Sequence, residues 1–150
     1  MTESPSGPCF GHTPGTSEFW LEEEILDQQL ISMISLSSGR PQKLLIFDAA
    51  GTMWRMNIPD ASRYQTIFWR VASQFYNPSR ALHVSFECLR TYELSELLAV
   101  FKTQVERDDD CLTQFYEHEE IYPMLNDCRS FDDAVNVWRR ITNNPQGEGI

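Results

Sequence analysis

The sharpest change of hydrophobic pattern along the chain falls between Lys43 and Ile58, KLLIFDAAGTMWRMNI. Leu44 to Phe47 are an unbroken apolar run, the pattern of a strand covered on both faces. Asp48-Ala49-Ala50-Gly51 reads as a turn: the Asp carboxylate accepts backbone N–H bonds, and Gly51 takes a left-handed conformation. The return strand alternates, with Trp54, Met56 and Ile58 on one face and Met53, Arg55 and Asn57 on the other. Pro59 and Asp60 end it. The segment predicts a β-hairpin over 43–58.

Around the hairpin the period changes. Residues 1–16 hold three Pro and three Gly with few large apolar side chains, and predict a disordered tail. Ser17 is placed to cap a helix in which Phe19, Leu26, Leu30, Met33 and Ile34 share a stripe, ended by Ser37-Ser38-Gly39-Arg40-Pro41. After Asp60 as cap, Tyr64, Ile67, Phe68, Val71, Ala72 and Phe75 form the clearest helical stripe, read as core-facing. Trp69 and Tyr76 fall off it and are the candidate contacts of a homodimer. Alternation over 81–91 predicts a third strand, with Cys88 on its inward face.

From there the pattern is helical. Leu94, Leu97, Leu98, Phe101 and Val105 make one stripe, and Leu112, Phe115 and Tyr116 belong to a following short helix. Pro123 predicts a break between two short helices. Ser130 with Asp133 resembles a capping box opening a last helix through Phe131, Ala134, Val135, Trp138 and Ile141. The fold class expected is α+β: a small antiparallel sheet (hairpin 43–58 plus strand 81–91) covered by about five helices. A single domain would occupy 17–142, with 143–150 a flexible C-terminal tail.

Charge is uneven. The net −10 divides into −5 over 1–40, +3 over 41–90 and −8 over 91–150. This disfavours nucleic acid, whose backbone needs a basic surface. No apolar run approaches the roughly 18 residues of a membrane span, and nothing at the start resembles a signal peptide. A cytoplasmic chain that does not enter the membrane is expected. Cys9, Cys88, Cys111 and Cys128 show no CxxC spacing and read as free thiols.

Candidate chemistry is sparse. Phe47-Asp48-Ala49-Ala50-Gly51-Thr52 resembles the first motif of the haloacid dehalogenase-like superfamily, where a strand delivers a nucleophilic Asp followed by Gly-Thr. The resemblance implies a hydrolase or phosphatase with Asp48 as nucleophile and Thr52 as a phosphate or substrate contact. The second Asp of the phosphatases falls on Ala50, a position dehalogenase members also leave without an acid. The family's fold requires later parallel strands, a Lys and an acidic metal motif. Here the only lysines are Lys43, in the same strand, and Lys102, in a helical stripe. A calcium loop counted from Asp108 puts Leu112 and Thr113 where a ligand and Gly are needed. Cys111, His118 and Cys128 lack zinc-site spacing. No cofactor or metal is expected, and Asp48 is read first as a turn-former.

Binding remains. Asp108, Asp109, Asp110, Glu117, Glu119 and Glu120 surround Phe115 and Tyr116, the pattern of aromatic anchors in an acidic field. The expected function is a non-enzymatic acidic protein-binding module. By class-level analogy it is an immunity-type neutraliser or chaperone of a basic toxin-like or effector-like protein.

Overall fold

The computed structural model describes residues 4–25, 28–59, 61–107 and 112–143. The chain is α+β, as its pattern predicts, with more sheet than expected. Strand β1 (Cys9–His12) turns through Pro14-Gly15 into β2 (Phe19–Glu22); β3 (Gln28–Ser32) runs into helix α1 (Met33–Ser38). The hairpin strands are β4 (Leu45–Asp48) and β5 (Thr52–Asn57), and helix α2 spans Ile67–Ala72. Strands β6 (Ser79–His83) and β7 (Ser85–Thr91) precede helices α3 (Leu94–Arg107), α4 (His118–Asn126) and α5 (Phe131–Thr142). Two sheets result, one of order β2-β1-β4-β5-β7 and one pairing β3 with β6; all the pairings are antiparallel.

The hairpin lies where the pattern put it. Gly51 adopts φ 85°, and its N–H bonds the Asp48 carbonyl at 3.3 Å. β4 is central, paired with β1 on one side and β5 on the other, which is why its apolar run is continuous. One face of the large sheet carries Phe10, Phe19, Phe47 and Met53 against α3, α4 and α5. The other carries Cys9, Ile46, Trp54 and Met56 against α1 and Ile31 of β3. The molecule is therefore layered: helices, five strands, then a two-stranded ribbon with short helices.

Several expectations are corrected. Residues 9–12 are not a loose tail: all four are buried in the second strand of the sheet. The Phe10 ring stacks on Phe19 at 5.2 Å and meets Phe101, Phe131 and Trp138 edge-on or tilted. The predicted helix from Ser17 is two strands and only six helical residues. Backbone pairing of Phe19–Glu22 with β1, and of Gln28–Ser32 with β6, overrides a 3.6-residue stripe that no partner helix is present to receive. Its predicted stop holds, since Gly39 closes α1 at φ 75°. Strand 81–91 is two strands meeting at buried Val84; 85–91 joins the hairpin sheet as expected, while Cys88 is exposed.

Leu112 to Tyr116 form turns, not a helix. Pro123 lies inside one continuous helix, α4, where the carbonyl it leaves unpaired belongs to exposed Glu119. The Ser130–Asp133 capping box is present, both bonds at 3.1 Å. Asp60 as a cap, the Asp108–Asp110 triplet, Cys111 and 144–150 of the expected C-terminal tail lie outside the described residues. No helix among the described residues is long and apolar enough to cross a membrane.

Candidate functional site

Four places hold the side chains to which the sequence or the fold draws attention. The first is Asp48 at the end of β4, 1% exposed. Its Oδ1 accepts the backbone N–H of Ala50 at 3.0 Å and of Thr52 at 2.8 Å. Its Oδ2 accepts the N–H of Ser6 at 3.2 Å and the indole N–H of Trp54 at 2.8 Å. The Tyr92 hydroxyl donates to the Asp48 carbonyl. Four N–H donors around one carboxylate make a turn clamp that ties the N-terminal segment to the hairpin. Its negative charge, after burial, pushes the Cys9 thiol up to about 12 and also raises the Tyr92 phenol. The dehalogenase-like motif implied a parallel sheet, and Asp48 stands instead in an antiparallel hairpin.

The second is the acidic segment. Asp108, Asp109 and Asp110 lie outside the described residues. Phe115 and Tyr116 are half-buried; Tyr116 packs on the helical core, with the Arg140 guanidinium 5.9 Å from its ring. Glu120 reaches back to the Glu117 N–H at 2.8 Å, closing the start of α4, and Glu119 is exposed. Of the expected anchors Tyr116 thus packs inward, and two of the glutamates, Glu117 and Glu120, serve the helix end.

The third place is the face the sequence assigned to the core. Ile67, Phe68, Val71 and Phe75 are 78, 69, 56 and 89% exposed, and Tyr76, read as off the stripe, is 67% exposed. Trp69, predicted to lie off the stripe, is half-buried against the second core with Tyr64. Helix α2 is therefore seated by its edge, capped by Thr66 Oγ1 on the Trp69 N–H, with its apolar stripe outward. Ile34 of α1 is 42% exposed beside it, its N–H bonded to Asn77 Oδ1 at 2.9 Å. Arg63, Arg70 and Arg80 are exposed on the same stretch, and no acid occurs between 61 and 86.

The fourth is a cavity of about 470 Å³ between the two sheets, with Glu18 and Glu22 among its lining residues. A smaller hollow of about 260 Å³, against α3, is lined by His12, Gln104 and Arg107 among others. There Gln104, 1% exposed, gives its amide N–H to the Thr16 carbonyl at 3.1 Å. Burial, with Arg107 nearby, lowers the His12 pKa despite its bond to the Glu18 carbonyl. No group of three His, Cys, Asp or Glu among the described residues is arranged to hold a metal ion.

Sequence reasoning singled out Asp48 and the hairpin, and missed the outward α2 face and the cavity. The cavity's signal was the Thr13-Pro14-Gly15-Thr16 turn between two aromatic residues, which marks a hairpin where a tail and a helix were read. The chain matches no protein-family model, no curated protein and no solved structure.

Proposed function

We propose that the protein is a non-enzymatic binding module that engages a partner protein through the outward face of α2 and the turn after it, 67–76, in the manner of a neutraliser or chaperone. The observation that supports this most directly is the run of five large apolar side chains, each more than half exposed, within 67–76. Soluble surfaces ordinarily scatter such residues singly, and contiguous apolar ground marks contact sites. Phe68, Phe75 and Tyr76 are of the type that anchors interfaces. The arginine fringe and the absence of acids over 61–86 give this face a local sign opposite to the net −10. Its complement is an apolar surface with acidic flanks. A basic partner on the acidic segment is the second reading; it rests on the net charge and exposed Glu119. The hydrolase reading rests on the six-residue resemblance at Asp48.

Photo-crosslinking in the source cell separates these. A benzoylphenylalanine at position 75 is expected to capture a defined partner, with capture lost on Phe68→Asp. Adducts from position 119 alone would favour the basic partner, and none from either position would overturn the binding reading. Turnover of a phosphate or haloacid substrate that vanishes in Asp48→Asn would replace it with the hydrolase.

A further inference from the structure

The depth of the cavity between the sheets comes from one residue. Gly11 is buried in β1, an inner strand with β2 on one side and β4 on the other. A glycine inside a strand weakens the ladder and ordinarily marks a close approach. Here the approaching group is Trp20, its antiparallel partner on β2. A Cβ on Gly11 would stand 2.8 Å from both Cε2 and Cζ2 of the indole and 3.2 Å from Nε1. Three contiguous ring atoms that close mean the indole is folded down onto the β1 backbone instead of standing up between the layers. A side chain at position 11 would lift the ring into the cavity.

Beyond the indole lies a space of about 470 Å³ whose floor continues across the sheet through Ile46, Met56 and Phe86. Leu30 and Ile31 of β3 line it from the ribbon. Trp20, Ile31, Ile46, Met56 and Phe86 all belong to the second core, so the space is a gap in the packing of that core. Aromatic rings border it at both edges of the sheet, Trp20 on β2 and Phe86 on β7. Its volume lies in the range of small-molecule sites, and hydroxyls of Ser32, Ser35 and Ser79 stand among the apolar side chains.

We propose that this cavity binds a flat aromatic molecule of two or three rings, stacked on the outer face of the Trp20 indole. A ring face turned to a void has no partner atoms there. An aromatic ring laid against it restores dispersion and quadrupole attraction, which an aliphatic molecule of equal volume restores only in part. The juxtaposition of a strand residue without a side chain, an indole lying on it and an apolar space above carries the inference. It goes beyond the contact proposed for 67–76 and does not depend on it.

N-phenyl-1-naphthylamine, an uncharged dye that fluoresces in apolar surroundings, is the probe, titrated into the full-length protein and followed also by NMR. Saturable one-to-one binding is expected, with the largest shifts at the Trp20 indole N–H and the amides of Gly11 and Ile46. Gly11→Ala lifts the ring and Trp20→Leu removes it. Each should weaken binding at least about fivefold, and either one suffices if the other unfolds. 2-Naphthol should displace the dye at least about fivefold better than decahydro-2-naphthol, its saturated counterpart. Equal displacement by the two alcohols, or no saturable binding, would overturn the proposal. So would unchanged affinity in the folded variants, or affinity lost in Phe68→Ser with Phe75→Ser, which leaves the cavity intact.

Discussion

Asp48 shows how one short side chain can hold three parts of a chain. Its acceptors serve Ser6, the 50–52 turn and the Trp54 indole, and its carbonyl takes Tyr92 at the entry to α3. Asp48→Ala strands these donors in a buried place and should cost about 3 kcal/mol or more in urea denaturation. Asp48→Asn, whose amide presents N–H to N–H, should recover less than half of that. Thiol reactivity follows burial. Cys88 is exposed and should alkylate before Cys9 and Cys128 at neutral pH; Cys9, with its ionisation pushed up to about 12, should label only on unfolding, as peptide mass analysis would report. His12 gives the fold a pH dependence. Its pKa is lowered in the native state, so protonation favours the unfolded chain. The stability tied to neutral His12 is complete above its ordinary value near 6.5 and is lost as pH falls from there through the folded value. His12→Phe should flatten the stability profile below about pH 6.5.

At the level of elements, local chemistry was legible wherever a turn or cap carries its own signal. The hairpin turn needs Gly51 at positive φ, so Gly51→Ala should cost about 1 kcal/mol in thermal unfolding without changing the strands it joins. Ser130→Ala should cost about 1 kcal/mol by freeing the Asp133 N–H at the start of α5. The α3 and α5 stripes face the core as their spacing predicts, Leu97, Phe101 and Val105 on one, Ala134, Val135 and Ile141 on the other. Where periodicity failed, it failed for a stated reason. A 3.6-residue stripe says which side chains share a face and not what that face meets. Of the 64–75 stripe only 67–72 is α-helix, too short to cover the sheet and seated against the second core through Trp69. Over 28–32, pairing with strand 79–83 was decided by residues far away in sequence, beyond the reach of any window, whereas 19–22 pairs with 9–12 across a short turn whose signal the helical stripe masked.

For the whole molecule, the arrangement of layers distributes stability and leaves contact surfaces. Phe10, in a segment that composition marks as loose, is the centre of the aromatic cluster joining β1 to α3 and α5. Phe10→Ala should cost about 3–5 kcal/mol, a large part of the stability of a domain this size. Conversely, Phe68→Ser with Phe75→Ser should change stability by within about 0.5 kcal/mol each, because both rings stand in solvent. That pair therefore separates binding from folding. The sequence by itself determined the hairpin, the bonds of Asp48 to its own turn, Gly51, the capping box of α5 and the split of charge, because each depends on residues within a few positions of one another. Only the tertiary structure decided that residues 9–12 form an inner strand of the sheet, that the α2 stripe faces outward, and that a cavity lies between two sheets of unequal width. Those are outcomes of long-range pairing and of which surfaces are left after the layers have met.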